Sequence, residues 1–179
     1  MLAAGSGSRF AGGTHKLRAL LQGRPVLAWA LDNAVAAGLD GVIVVTGAAD
    51  VTDLVPVGAT VVANPDYAAG QATSLQAARR YAEAHGFDAM VVGLGDQPLV
   101  PPEAWRAVAG AGGELCTAVM HGQRTPPVKI ARSLWPLLPE HGDEGARVLM
   151  RGRPELVQEV ACKGRAVDID TVEDLQQWS

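Results

Sequence analysis

Short β-branched runs alternate with helical stretches along this chain, and most runs stop at Gly, Asn or Pro. Gly41 to Thr46 ends at Gly47, Asp88 to Leu94 ends at Gly95-Asp96, and Thr60 to Ala63 stops at Asn64-Pro65. Runs this short and continuously apolar predict strands buried on both faces, as in a parallel sheet. Leu115 to Met120 and Val128 to Ile130, with a Gly-bearing turn between them, predict an antiparallel pair. Val157 to Val160 alternates, and Ala166 to Asp170 closes the series as a last strand. Pro25 opens a helix with Val26, Leu27, Ala30 and Leu31 on one face, and Ser74 to His85 forms a second. Pro101 or Pro102 opens a third, Asp143 caps a fourth over Glu144 to Met150, and Thr171 caps the last, with Asp174 three residues on. Strands alternating with helices predict one α/β domain over residues 1–179, its sheet covered on both faces.

Composition narrows the class of function. Hydrophobic residues are 48% of the chain and charged ones 19%, enough for a packed core. Aromatics are only 4%, so Ala, Val and Leu must build that core. The net charge of −4 argues against a nucleic-acid binder, and no apolar stretch reaches the roughly 20 residues of a membrane helix. Cys116 and Cys162 show no metal spacing and read as reduced thiols, which together with the lack of a visible signal peptide gives a cytoplasmic expectation. The charge is unevenly spread: no Asp or Glu precedes Asp32, while Arg9, Lys16, Arg18 and Arg24 all do. A basic, glycine-rich start on an acidic chain suits a small anion, and it also suits plain solvated surface.

In open α/β sheets, ligands bind outside the carboxyl ends of the strands. Three loops with unusual residues follow strand ends here: Ala3 to Arg9, Gly95 to Pro98 and Asp168 to Thr171. In the first, Gly5-Ser6-Gly7-Ser8 lets successive amides approach an anion, and Arg9 adds a guanidinium fork. It is not a dinucleotide fingerprint, because Phe10 stands where a third glycine is needed, and no Gly-Lys-Ser/Thr of a Walker loop follows. Asp96, after a buried strand, suits Mg²⁺ or an ordinary turn. Asp168 and Asp170 lie two apart, so on a strand they share a face, although Asp170 also reads as the start of the last helix cap. His15 lies in the loop without a visible partner, and His85, His121 and His141 show no metal spacing.

Five segments carry a resemblance. Leu2-Ala3-Ala4-Gly5-Ser6-Gly7-Ser8-Arg9 with Lys16 resembles the LAAGxGxR…K signature of the nucleotidyltransferases related to molybdenum cofactor cytidylyltransferase, the MobA-like family. Asn64 to Gln71 with Ser74-Leu75, Gly95 to Val100, Gly142 to Arg147 and Asp168 to Leu175 resemble that family's NPxxxxGxxxSL, GDQPLV, GDEGAR and DIDTPEDL segments, in the same order. The resemblance implies a three-layer Rossmann-like nucleotidyltransferase fold, with a mostly parallel sheet and a small antiparallel part. It implies transfer of a nucleoside monophosphate from an NTP to a phosphate on an acceptor, with release of pyrophosphate. Leu2 to Arg9, Lys16, Gly70 and Ser74 are then the nucleotide-binding residues. Arg9, Lys16 and Asp96 are the catalytic ones, and Asp96 with Asp170 holds Mg²⁺ with Asp168 behind them. LAAG points by resemblance to CTP, with the Ala4 Cβ trimming a pocket that a purine would fill. The acceptor implied is a phosphorylated pterin, molybdopterin or molybdenum cofactor, and a molybdoenzyme or its maturation chaperone would be the protein partner.

The sequence departs from the family at two places. Only Met1 and Leu2 stand where a full hydrophobic strand precedes LAAG, so residues upstream of Met1 are expected to be missing. An intact mass of the native protein equal to the 179-residue chain counts against that. Arg124-Thr125-Pro126-Pro127-Val128 stands where many members have RGxPV. A transferase for another small phosphorylated acceptor, using GTP or CTP, keeps the same phosphate loop and differs at Asn64 to Ser74 and Gln123 to Val128. A non-catalytic nucleotide- or cofactor-binding chaperone could dispense with Lys16 or Asp96, and both are present.

Overall fold

The structure, a computed structural model, describes residues 1–179. Nine strands form: β1 (Leu2–Ala3), β2 (Leu20–Leu21), β3 (Arg24–Pro25), β4 (Ile43–Thr46), β5 (Thr60–Ala63), β6 (Ala89–Val92), β7 (Leu115–Met120), β8 (Gln123–Ala131) and β9 (Val157–Ala161). Five α-helices accompany them: α1 (Val26–Ala36), α2 (Gln71–Ala84), α3 (Pro102–Gly110), α4 (Ala146–Gly152) and α5 (Val172–Trp178). The main sheet runs β5-β4-β1 on one side and β6-β8-β7-β9 on the other. A parallel bridge from Leu2 to Leu94 joins the halves, with Leu2 N–H donating to Gly93 O at 2.8 Å. Only β8 runs antiparallel. The carboxyl ends of β1, β4, β6, β7 and β9 therefore open on one rim.

Alternation along each strand sends neighbours to opposite faces. Val44 and Cys116 pack on one side with Leu27 and Leu31 of α1 and Trp105 and Val108 of α3. Val45 and Leu115 pack on the other with Leu75 and Ala78 of α2 and Leu149 of α4. Helices on both faces make the three layers expected. A third cluster sets the site: Leu21, Val26 and Ile169 are fully or almost fully buried, with Leu175 and Trp178 of α5 packed on them. Leu21 arrives there by the β2–β3 hairpin, whose tight turn uses left-handed Gln22 and Gly23, a hairpin the sequence reading did not include.

Three expectations change. Ala166 to Asp170 joins no sheet; its Ile169 N–H donates to Asp96 O at 2.9 Å instead. Asp143 does not cap the fourth helix, which starts at Ala146 behind Gly145 at φ +50° with no side-chain cap. The second helix starts at Gln71, three residues early, because Ala72 N–H finds Gly142 O at 2.9 Å. Thr171 does cap α5, and a full capping box with Asp174 forms. Cys116 and Cys162 are both free. No helix is long and apolar enough to cross a membrane.

A cavity of about 870 Å³ lies at the amino ends of the strands, away from the three loops, lined by residues such as Met1, Leu39 and Tyr81. There the Met1 amine donates to Ile43 O at 2.8 Å, and burial lowers its pKa to about 5.

Candidate active site

The loop after β1 leaves the sheet at Ala3. Gly5, Ser6 and Ser8 are exposed, as an anion nest requires, while Leu2, Ala3 and Ala4 are buried beneath them. Gly7 needs its φ of +63°, and a Cβ there would lie 3.0 Å from His15 Nε2. His15 ties the loop's two arms. Its Nδ1 accepts from Leu17 N–H at 3.3 Å, which leaves Nε2 to carry the proton and donate to Gly5 O at 3.1 Å. Nothing in the residue pattern points to this role, since one partner is a backbone carbonyl ten residues away.

The chain continues from His15 into a 3₁₀ turn over Lys16 to Arg18 whose Leu17 is buried. That turn carries the Lys16 ammonium to 2.6 Å from Asp96 Oδ2 and 2.7 Å from Asp170 Oδ1. Arg9 reaches the same Asp170 through Oδ2 at 2.9 Å, with most of its own side chain in solvent. Burial alone would lower the Lys16 pKa, but the charges and hydrogen bonds of Asp96 and Asp170 outweigh it and raise it. Four predicted residues, Arg9, Lys16, Asp96 and Asp170, thus converge from three segments of the chain. Arg18 and Arg24 do not join them; they pair with Asp53 and Asp32.

The backbone explains the convergence. Ile169 is buried under the β2–β3 hairpin and bonded to Asp96 O, so the residues on either side of it flank the end of β6. Asp170 N–H and Thr171 N–H both donate to Asp174 Oδ2, at 3.1 and 2.8 Å, which locks the start of α5 behind Asp170. Asp168 and Asp170 are not held by a strand ladder as expected. Asp168 instead accepts from Gln97 Nε2 at 2.8 Å. Its pKa is raised, first by desolvation of the carboxyl, then by Asp96 and Asp170, against the Gln97 hydrogen bond. Asp96 Oδ1 and Gln97 Oε1 are buried without a hydrogen-bond partner. An orphaned carboxylate oxygen beside a second carboxylate is a hard-oxygen donor set that fits a divalent cation such as Mg²⁺.

The other predicted binding residues sit differently. Ser74 is 4% exposed, and its hydroxyl accepts from the buried Asn64 Nδ2 at 3.0 Å. Asn64 also holds Thr73, at 2.9 Å, so NPxxxxGxxxSL builds the entry to α2 from inside. Gly70, at φ +108°, lies where a Cβ would meet the Gly142 backbone at 2.6 Å. The Gly142–Gly145 loop is therefore docked on the start of α2, with Glu144 turned back to a bidentate pair with Arg151. The Ala4 methyl is also spent inside. A Cβ on Gly47 would lie 2.8 Å from it, so it faces Gly47 and does not trim an open pocket as expected.

Comparison with known proteins places this geometry. The family model described as "MobA-like NTP transferase domain" matches residues 1–160. The purine catabolism protein PucB of Bacillus subtilis is 32% identical over 97% of this chain and 91% of its own. Nicotine blue oxidoreductase of Paenarthrobacter nicotinovorans is 30% identical over 98% of this chain and 92% of its own. The crystal structure of Rv0371c from Mycobacterium tuberculosis in complex with manganese superposes with a TM-score of 0.79, at 29% identity, covering 99% of this chain and 94% of that one.

Proposed function

Because the chain belongs to the MobA-like NTP transferase family, we propose that it transfers CMP from CTP to the terminal phosphate of a phosphorylated pterin, molybdopterin or molybdenum cofactor. The observation that carries the reading is the Lys16 ammonium held between Asp96 and Asp170 at the mouth of a glycine-rich loop. Nucleotidyl transfer is a matter of positioning and charge, and these residues supply both. Gly5 to Ser8 receive the triphosphate on backbone amides. Arg9, with most of its side chain in solvent, neutralises the pyrophosphate as it departs. Lys16 follows the α-phosphate, where charge reorganises.

An oxygen of the acceptor phosphate forms the new bond to the α-phosphorus. The bond from that phosphorus to the oxygen bridging to the β-phosphate breaks, and the electron pair leaves with pyrophosphate. A phosphate dianion needs no proton removed, so the reaction asks for no general base and leaves Asp96 and Asp170 available to a metal ion. Asp96 and Asp170 would hold Mg²⁺, and Rv0371c, of the same fold, has been crystallised with manganese. Bound there, the ion would neutralise phosphate charge that the two basic side chains do not reach. The choice of CTP is supported by the LAAG segment, Leu2 to Gly5, alone, because the Ala4 methyl is turned inward toward Gly47.

The test is pyrophosphate release with CTP, GTP, UTP and ATP in turn, with Mg²⁺ and molybdenum cofactor, on the wild type and Asp96→Ala. CTP-selective release that falls at least a hundredfold in the variant is expected. Release with GTP alone moves the assignment to a guanylyltransferase. Tight nucleotide binding with no release from any of the four, under every acceptor tried, points to the non-catalytic chaperone.

A further inference from the structure

Asp96 and Asp170 together present four carboxylate oxygens, and the chain's own cations already hold three of them. Lys16 Nζ donates to Asp96 Oδ2 at 2.6 Å and to Asp170 Oδ1 at 2.7 Å. Arg9 Nη1 lies 2.9 Å from Asp170 Oδ2. The fourth oxygen, Asp96 Oδ1, is buried with no partner. Two positive side chains therefore balance two negative ones, at a place where Lys16, Asp96 and Asp170 are all mostly shielded from water. A divalent cation such as Mg²⁺ takes carboxylate oxygens at about 2.1 Å. It needs the oxygens that the ammonium holds, and two cations on one pair of oxygens repel each other. The metal and Lys16 compete for one place. The ammonium has another place to go. Lys16 stands in a 3₁₀ turn fixed by buried Leu17 and by His15, whose ring bonds both Leu17 N–H and Gly5 O. A Cβ on Gly7 would lie 3.3 Å from Lys16 Cγ, so the lysine stem already runs along the glycine-rich loop. Rotation about that stem carries the charge from the carboxylates toward exposed Gly5, Ser6 and Ser8 without a change of backbone. Arg9, its side chain 75% exposed, has one ion pair to give up.

We propose that Lys16 and Arg9 are stand-in counter-ions of the metal-free site, and that a divalent cation and a polyphosphate exchange partners with them: the cation takes the carboxylates of Asp96 and Asp170, and the phosphates take Lys16 and Arg9. The contact is autoinhibitory toward either ligand alone. A metal ion that arrives first must expel the ammonium with no anion to receive it. A polyphosphate that arrives first must draw both cations away and leave two shielded carboxylates facing each other. When both arrive, one doubly charged ion replaces two single charges, and those two charges are spent on the phosphates. Metal and nucleotide binding are then positively coupled, and by linkage each raises the affinity for the other by the same factor. The nucleotide half rests on the nucleotidyltransferase reading, whereas the competition between metal and Lys16 stands without it.

The test is a titration of the full chain with Mn²⁺ alone, read from the electron paramagnetic resonance signal of the free ion, for wild type, Lys16→Met and Arg18→Met. Arg18 belongs to the same turn but pairs with Asp53, so it controls for the loss of a nearby charge. Lys16→Met should bind Mn²⁺ on the order of tenfold tighter than wild type, and Arg18→Met should stay within about twofold. The titration is repeated with the α,β-methylene analogue of CTP, corrected for the metal that the analogue holds in solution. The analogue should tighten Mn²⁺ binding to wild type by about 5–150-fold, and by less in Lys16→Met. Wild type offers a second readout if Lys16→Met fails to fold. The chain has three lysines, Lys16, Lys129 and Lys163, and reductive methylation followed by mass spectrometry reads each one. Saturating Mg²⁺ without nucleotide should speed the modification of Lys16 and leave exposed Lys163 unchanged. Mn²⁺ affinity indifferent to Lys16, or a Lys16 methylation rate indifferent to Mg²⁺, overturns the exchange, and the function stands if the analogue still binds. Failure of the analogue to bind, while Lys16→Met still tightens Mn²⁺, overturns the function and leaves the competition between metal and ammonium standing.

Discussion

Lys16 carries its charge between Asp96 and Asp170 with 11% of its side chain exposed, so its removal leaves two carboxylates facing each other. Breaking such a pair costs about 3 kcal/mol, the low end of the buried range because both carboxylates keep some exposure. Urea denaturation of Lys16→Ala should show that loss, and Mg²⁺ should restore more stability to the variant than to the wild type. A variant as stable as the wild type contradicts the junction. Asp168 gives a pH prediction. Its folded pKa is above the unfolded 3.8, so its favourable contribution is complete below that value and is lost as pH rises through the folded one. Asp168→Asn should therefore melt higher than wild type near pH 7 in the presence of chelator, with the gap closing toward about pH 4. A gap that is constant with pH would show that the asparagine acts through packing alone.

The elements that bring these residues together are short and are held by specific contacts. Thr171→Ala removes the side chain that accepts from Asp174 N–H at 3.1 Å and should cost about 1 kcal/mol of stability. Since the same box holds Asp170, the variant should also weaken nucleotide binding, which Thr171→Ser should restore. Gly70→Ala should be worse for stability than for binding, because its Cβ meets the Gly142 backbone, which cannot yield as a side-chain tip can. Chemical denaturation beside nucleotide titration separates the two.

These elements also show what was readable in the residues. The strands β4, β5 and β6 were legible because β-branched runs end at Gly or Asn-Pro, although β5 is a largely exposed edge strand and not one buried on both faces as expected; the glycine-rich loop, Asp96 and Asp170 followed from where those runs end. Ala166 to Asp170 misled because Val167 and Ile169 alternate with two aspartates as a strand does. Its backbone donors go to Asp96 O and Asp174 Oδ2, contacts that alternation does not encode. Asp143-Glu144 looked like a cap, but the turn is made by left-handed Gly145 and Glu144 prefers Arg151. His15 and Gln97 were invisible as site residues, since each acts through a partner distant in sequence.

At the scale of the whole molecule, one sheet rim gathers the glycine-rich loop and the junction of Lys16, Asp96 and Asp170. The parallel β1–β4–β5 half delivers the glycine-rich loop. The half containing antiparallel β8 delivers Asp96 at the end of β6, and the Leu2–Leu94 bridge joins the two halves beside it. In β8 the Pro126-Pro127 pair, which has no N–H to give a ladder, sits at the register shift opposite Thr117 and Ala118.

The central claim is that a nucleoside monophosphate, and not a phosphoryl group, crosses from the loop to the acceptor. It is tested most directly with CTP radiolabelled at the α- or the γ-phosphate, incubated with Mg²⁺, protein and molybdenum cofactor, followed by separation of the products. The α-label should appear in the acceptor and the γ-label in pyrophosphate, both lost in Asp96→Ala. Appearance of the γ-label in the acceptor would make the protein a kinase and contradict the account.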